Sequence, residues 1–513
     1  MSNVSRRTFL RASAVALSIA PWARAAAGGF LRQPYLQRLL ADKASILWTT
    51  LQPAAGNVTV IAPDGSSTSF PATATAFDPS TTQLSSTYYQ YQADLTGLQA
   101  GTTYRYQIVQ DGQVLAADPV QNSFYTPTSG DFSFLVMGDT GTDSPEQIAL
   151  LQQMIPETNV SKVIHVGDLA YMSGTFGQFE SNYFALYAPL MSRLPFFTAP
   201  GNHEYLTDSA APYLAVHSAP VCGVPSQDLG RYYSFDSGDA HFVSIDSNIL
   251  HGDAASRMLT WLDADLAATK KYWKIAFVHH PPYPTGAHLG DPLCALVEQN
   301  VNPIVERHGV QLVLAGHEHG YERSFPLRGG QKADASVPST TYLITGGGGA
   351  FLENVGSLPQ CVLSVSAHNY LRVDVAGTAL TFSAIGLGGA VIDRITLNPP
   401  PAVTPGGIVN ARTPSTEIVS GGLVRISGQN FAIRSISSTR APAPHQLGGV
   451  SVTANGVDAP ILYASPVELI IQMPFAVSGP VTLNISTPNG SATGSTVVEK
   501  RTLGSANAPV RRL

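Results

Sequence analysis

Cysteine is scarce in this chain: Cys222, Cys294 and Cys361 are the only three in 513 residues, and they lie far apart. That count excludes a disulfide-built scaffold. No pair has a metal-binding spacing, so one disulfide and one leftover thiol are possible, and the sequence does not choose among the pairings. Charge is sparse as well. Asp, Glu, Lys and Arg make up 12% of the residues, against about 25% in ordinary soluble domains. With a formal net charge of −6 and a pI near 6.1 there is no basic footprint, and duplex nucleic acid is not expected as a partner. The apolar run Ala12–Ala20 has nine residues, well short of the roughly 20 that cross a bilayer. Nothing later is longer and comparably apolar, so no transmembrane anchor is expected.

What is plentiful is Ser, Thr, Gly and Pro, a mix that suits β-rich exported modules. A chain of this length is expected to hold about three domains. The start, Ser5-Arg6-Arg7-Thr8-Phe9-Leu10, is a twin-arginine pattern, followed by that short apolar run and by small residues from Ala23 to Ala27. It reads as a signal peptide over 1–27 that sends a folded protein to the periplasm or outside the cell.

Residues 28–128 read as a β-sandwich. Runs such as Ala44–Thr50, Val58–Ala62, Tyr88–Leu95 and Tyr104–Val109 alternate and are punctuated by Pro, Gly and Asp-Gly. After Leu397 the composition shifts at Asn398-Pro399-Pro400-Pro401. Residues 399–406 are expected to be a Pro-rich linker, 407–498 a small immunoglobulin-like β module, and 499–513 a tail. No ligand is named by that module. Binding to a wall or surface polymer and passive spacing both remain open.

Between these lies a central region, 129–398, in which five short segments occur in order: Gly138-Asp139-Thr140-Gly141, Gly167-Asp168-Leu169-Ala170-Tyr171, Gly201-Asn202-His203-Glu204, His279-His280-Pro281 and Gly316-His317-Glu318-His319. Each follows a short apolar run, and stretches of helical periodicity at 145–154, 179–194, 255–268 and 293–308 separate them. Strand then ligand is the repeated unit. In an α/β sheet such residues converge at the carboxyl ends of neighbouring strands. Carboxylate, amide, imidazole and phenolate groups together can hold two cations about 3.5–4 Å apart, the separation that clamps both oxygens of an in-line phosphoryl displacement.

These segments resemble the calcineurin-like metallophosphoesterases and, among them, the purple acid phosphatases. The resemblance implies a four-layer α/β/β/α sandwich flanked by a fibronectin type III-like N-terminal domain and the C-terminal module. Leu98-Gln99-Ala100-Gly101-Thr102-Thr103-Tyr104 looks like a fibronectin III corner, and such a domain is expected to wall one side of the active-site cleft. Most of the superfamily has Asp-x-His in the first segment, whereas here the His place is Gly141 and Tyr171 stands three residues after Asp168. That exchange marks purple acid phosphatases. A phenol of pKa about 10 ionises near neutrality only beside a strong Lewis acid, which argues for Fe3+.

Carried over residue by residue, the resemblance puts Asp139, Asp168, Tyr171 and His319 on the ferric ion. Asp168, Asn202, His279 and His317 would hold a divalent ion (Zn2+, Fe2+ or Mn2+). His280 also fits the His-x-Pro pattern, although Tyr283 favours the register that begins at His279. Asn202 and His203 would bind the phosphate, with His203 able to protonate the leaving alkoxide. His288, in a Pro/Gly loop, resembles the substrate-loop His, or is simply an exposed imidazole. His165 is expected to be a hydrogen-bonded residue behind the ligands. The activity implied is a metal-dependent acid phosphatase acting on small phosphomonoesters, with a metal-bridged hydroxide as nucleophile. A phosphodiesterase or nucleotide pyrophosphatase on the same metals is the enzymatic alternative, and a non-catalytic surface-binding protein the other.

Overall fold

A computed structural model describes residues 29–500. The twin-arginine segment lies outside the described residues, as does all but the first part of the expected tail. From Arg32 to Tyr125 the chain builds one continuous antiparallel sheet folded over on itself. The fold is made by the long strand Ser67–Phe77, whose first half pairs with Gly56–Ile61 and whose second half pairs with Tyr88–Thr96. Alternation sets the inside. In Thr103–Gln110 the residues Tyr104, Tyr106 and Ile108 point into a core with Ile46, Val58 and the stacked pair Trp48 and Tyr91, whose rings are 5.1 Å apart. The hairpin after Gln110 turns on Asp111-Gly112, both at positive φ, as a two-residue turn with the native strand twist requires.

The central region is two mixed sheets packed face to face. In one, Phe132–Met137, Val160–His165 and Phe196–Thr198 run parallel and are extended by the antiparallel strands Asn369–Ala376, Ala379–Gly386 and Val391–Leu397. In the other, Ala240–Ile245, Trp273–Val278, Leu312–Ala315 and Thr341–Thr345 are parallel. These parallel strands are apolar almost without interruption because both of their faces are covered. Phe134, Val136, Ile164, Phe242, Ile275, Phe277, Leu314 and Leu343 fill the space between the sheets. Helices cover the outer faces: Pro145–Met154 and the turns from Phe176 to Met191 on one side, Gly252–Ala268 and the turns from Pro292 to Arg307 on the other. The result is α/β with four layers. The helix expected from Phe179 begins three residues earlier, at Phe176, where Thr175 caps it reciprocally with Gln178.

The N-terminal sheet shares a core with the first helical layer through Tyr35, Leu47, Phe77 and Tyr88. Arg32, fully buried, forms an ion pair with Glu180, and Tyr106 Oη donates to Ser192 O at 2.7 Å. This sheet therefore buttresses the helical segment that follows Tyr171.

Two β-sheets form the C-terminal part, with Val424, Ile426, Leu469 and Ile471 facing Val452, Leu483 and Ile485. The expected linker is shorter than its composition suggested. Strand Ala402–Asn410 takes in residues 402–406, with an irregular register between Val403 and Ile408 that accommodates Pro405 and Gly406. The last strand, Gly490–Glu499, likewise runs one residue into the expected tail. This part docks at the end of the sheets where the parallel strands begin, on Asp239 and Gln311, which precede two of them, and on Thr378 in the turn between two antiparallel strands. Arg434 pairs with Asp239 at 2.7 Å, Gln311 donates to Asn430 at 3.1 Å, and Asn489 donates to Thr378 O at 2.9 Å. All three cysteines are free, so the disulfide the count permitted is not formed.

Candidate metal centre

At the opposite, carboxyl ends of those seven parallel strands, five lead into the five segments, while Ala240–Ile245 leads to Asp246 and Thr341–Thr345 to the glycines 346–349. The segments are tied to one another by backbone bonds: Asp139 N donates to Gly167 O at 3.0 Å, Thr140 N to Asp168 O at 3.1 Å and Gly316 N to His279 O at 3.0 Å. Asp139, Asp168 and His317 all have left-handed backbone (φ +56°, +56° and +70°), a conformation costly for these residues and concentrated at functional sites. Glycine makes room for the carboxylates. A Cβ on Gly201 would sit 2.0 Å from Asp168 Oδ1, and one on Gly316 2.3 Å from Asp139 Oδ2.

The side chains sort into two touching groups. In the first, Tyr171 Oη lies 3.3 Å from Asp139 Oδ1 and 3.1 Å from His319 Nε2. In the second, His279 Nε2 lies 2.9 Å from Asn202 Oδ1 and 3.5 Å from Asp168 Oδ2. Candidate ligand atoms of Asp139, Asp168 and His279 all fall within 4.8 Å of one another, which places Asp168 between the groups. His317 closes the second group, with its ring 5.1 Å from that of His279. His280 turns its Nδ1 to Ser247 Oγ at 2.7 Å; it is His279 that meets Asp168.

The donor set fits a cation. His279 Nδ1 faces Val166 O at 2.9 Å and His319 Nδ1 faces Phe351 O at 2.8 Å. A carbonyl can only accept, so each ring carries a proton on Nδ1, and in the neutral ring it is the Nε2 lone pair that points into the site. What that lone pair meets on His279 is an amide oxygen and a carboxylate. His317 Nε2 is buried without a hydrogen-bond partner, with Asp291 Oδ2 3.6 Å away. Acceptors facing acceptors in a buried place need positive charge between them. The electrostatics favour positive charge here: burial works against a charged His279, yet the Asp168 carboxylate raises its pKa to about 10, so Nε2 holds a proton unless a metal ion takes that proton's place. Burial and the nearby Asp168 and Asp139 push the Tyr171 phenol well above its usual value, so only a strong Lewis acid in contact with the oxygen would displace its proton.

His203 and His288 are both brought to this centre. His203 lies against the Tyr171 ring at 4.3 Å, with Nε2 3.8 Å from Asp168 Oδ2 and Nδ1 held by Met172 O at 2.6 Å. His288 packs on His317 at 3.7 Å and reaches Glu353 at 3.3 Å. His165 is buried behind them, 2.9 Å from Thr140 Oγ1. Two glutamates inside the motifs were given no role from sequence. Glu204 accepts from the amides of Asp168, Leu169, Ala170 and Gly201 at 2.7–3.2 Å, and Glu318 accepts from Ala287 and His288 at 2.8 and 3.0 Å. The sequence signal was their adjacency to the ligand positions. Apart from Gly201, three residues before Glu204, their partners are distant backbone amides, which no spacing reveals.

Gly141 leaves no room for a side chain. A Cβ there would lie 2.0 Å from Leu169 O, so no side chain can enter from the position where Asp-x-His would place its imidazole, while Tyr171 Oη enters from the next loop. Residues 132–321 match the calcineurin-like phosphoesterase family, and residues 34–134 match the purple acid phosphatase N-terminal domain. The chain thus carries a calcineurin-like phosphoesterase domain preceded by a domain that matches the N-terminal domain of purple acid phosphatases. Human (Homo sapiens) acid phosphatase type 7 is 30% identical over 296 residues, 51% of this chain and 66% of that one, so the match spans just under two thirds of the relative. An Arabidopsis thaliana relative named "Probable inactive purple acid phosphatase 9" is 24% identical over 58% of this chain and 54% of its own length. Among solved structures, a purple acid phosphatase from yellow lupin (Lupinus luteus) superposes with a TM-score of 0.64 at 18% identity, over 72% of this chain and 75% of that one, a likeness of fold. The calcineurin-like phosphoesterase and purple acid phosphatase families imply a dinuclear metal site.

Proposed function

We propose that this protein is an exported phosphatase that hydrolyses phosphomonoesters at a dinuclear centre of Fe3+ and a divalent metal, Zn2+, Fe2+ or Mn2+. The observation that carries this reading is Tyr171 Oη set between Asp139 and His319, with no room for a side chain at Gly141. Asp139, Tyr171 and His319 would hold the ferric ion, Asn202, His279 and His317 the divalent one, and Asp168 would bridge them. Bound there, the metals supply Lewis acidity that activates water and offsets phosphate charge at mildly acidic pH.

The chain's own residues do the rest. Asn202 and His203, on the short helix Asn202–Tyr205, would hydrogen-bond the phosphate oxygens. His203 can pass a proton from Nε2 to the departing alkoxide, its Nδ1 being fixed by Met172 O. His288, positioned by Glu353 and by Glu318's grip on its backbone amide, would approach the same phosphate from the other wall. The N-terminal sheet we read as fibronectin III-like and the C-terminal part as an immunoglobulin-like module that spaces or tethers the enzyme. The twin-arginine start suits a protein that loads its metals before export. The deciding experiment is metal analysis of the purified chain, with phosphate release measured on matched monoesters and diesters. A strong preference for bis-aryl phosphates would hand the site to phosphodiester chemistry.

A further inference from the structure

Large apolar side chains more than half exposed are uncommon next to a polar centre, and four of them come from four different loops of this one. Met172 is 65% exposed, Leu206 66%, Leu289 59% and Phe351 93%. Each is tied by its backbone to a residue of the centre. Met172 O accepts from His203 Nδ1 at 2.6 Å, and Leu206 N donates to His203 O at 3.4 Å. Leu289 follows His288, whose ring packs on His317. Phe351 O accepts from His319 Nδ1 at 2.8 Å, and two residues later Glu353 N donates to His319 O at 3.1 Å. The backbone of the Phe351 loop is thus pinned on both sides while the ring is left in solvent. Scattered exposed apolar residues need no explanation, but several gathered at one mouth do.

Charge adds an independent constraint. The loop segments 138–144, 167–179, 200–210, 279–294, 316–320 and 346–358 contain no Lys and no Arg, and they do contain Asp143, Asp208, Asp291 and Glu353. A second phosphate or another anionic group on a substrate is ordinarily gripped by Arg or Lys. In these loops it would meet carboxylates and apolar carbon, and Arg231, which reaches the 200–210 loop from outside them, is taken up by Tyr205 Oη, Ser209 O and Asp246.

We propose that Met172, Leu206, Leu289 and Phe351 form the subsite for the alcohol portion of the ester. The substrates are then phosphomonoesters of apolar alcohols, alkyl or aryl, and esters carrying further phosphate groups are disfavoured. This rests on the phosphomonoesterase reading and adds the substrate class to it. Full burial of a methylene is worth about a fourfold gain in an equilibrium constant, and a rim that covers one side of the chain about twofold.

The test is a ladder of kcat/KM for ethyl, butyl and hexyl phosphate on the metal-loaded full chain. Dissociation constants for ethyl- and hexylphosphonate, and rates for phenyl phosphate against 1,4-phenylene bisphosphate, accompany it. From ethyl to hexyl, four methylenes at about twofold each, kcat/KM should rise about sixteenfold and the phosphonate dissociation constant should fall in parallel. The second phosphate should lower kcat/KM, and Phe351→Ser should flatten both ladders to within about threefold. Flat ladders in the unsubstituted protein, or a bisphosphate preferred over its monoester, would overturn the proposal. Phosphate released from none of the esters would instead overturn the phosphomonoesterase reading, and the phosphonate ladder would still decide this one.

Discussion

The amide of Tyr171 donates to the carbonyl of Gly141 at 2.8 Å. That bond ties the loop that brings in the phenol to the position that has no side chain. The two features are one arrangement, because the Leu169 carbonyl that excludes a Cβ at Gly141 lies two residues before Tyr171 in the same loop. Gly141→Ala should therefore displace the phenol. With a Cβ at 2.0 Å from a backbone oxygen, the loop has to move, and we expect destabilisation of about 2 kcal/mol or more. Iron content should fall together with thermal stability. Full iron retention in this variant would show that the loop is slack.

Glu204 should matter as much as a ligand without being one. Its carboxylate receives four backbone N–H groups from the loops carrying Asp168 and Asn202. Glu204→Gln puts an NH2 against these donors, leaving some of them buried and unpaired, at about 3 kcal/mol or more. Urea denaturation should show the loss, and both metals should be bound more weakly. A variant of unchanged stability would mean that water readily replaces the carboxylate.

The C-terminal module docks where the parallel strands begin, while the centre is built where they end. A chain ending at Pro399 should keep kcat on a small aryl phosphate within a few fold. It should nevertheless be less stable to heat, since Asp239 and Gln311 lose partners in Arg434 and Asn430. A loss of about a hundredfold with metals still bound would show that the module shapes the site.

His241 gives the stability a pH dependence away from the metals. Its ring meets Asp236 at 2.7 Å and Asp265 at 2.8 Å. Burial lowers its pKa, and the two carboxylates more than offset this, leaving it above the ordinary histidine value. A pKa raised in the folded state stabilises fully below the unfolded value of about 6.5, and the contribution is lost as pH rises through the folded value. Unfolding free energies of the parent chain and His241→Gln should differ more near pH 5.5 than near pH 9. A pH-independent difference would assign His241 a packing role only.

How much of this was legible follows from what kind of interaction each feature uses. The ligand segments could be read because strand-end turns are local: Gly-Asp and Gly-His after an apolar run encode both the break in the strand and the donor. The helix over 145–154 was readable from its periodicity, which is local too; the structure adds Ser144 as its cap and Pro145 as its first residue. The linker was overestimated because Pro405 and Gly406 look like loop residues, yet an irregular strand at a sheet edge tolerates both. The roles of Glu204 and Glu318 and the apolar rim were not legible. They depend on which distant loops meet, and periodicity carries no information about that.

The central claim is that a Tyr171 phenolate binds ferric iron, and it has one direct measurement: the visible absorption and iron content of the purified protein beside those of Tyr171→Phe. The ring stays in the variant, so packing should survive within about 1.5 kcal/mol. The account predicts a pink to purple protein from phenolate-to-iron charge transfer, with the band absent in Tyr171→Phe and largely kept in Asn202→Ala, which should instead lose the divalent metal. A parent protein with iron at full occupancy, kept oxidised and yet colourless, would contradict it.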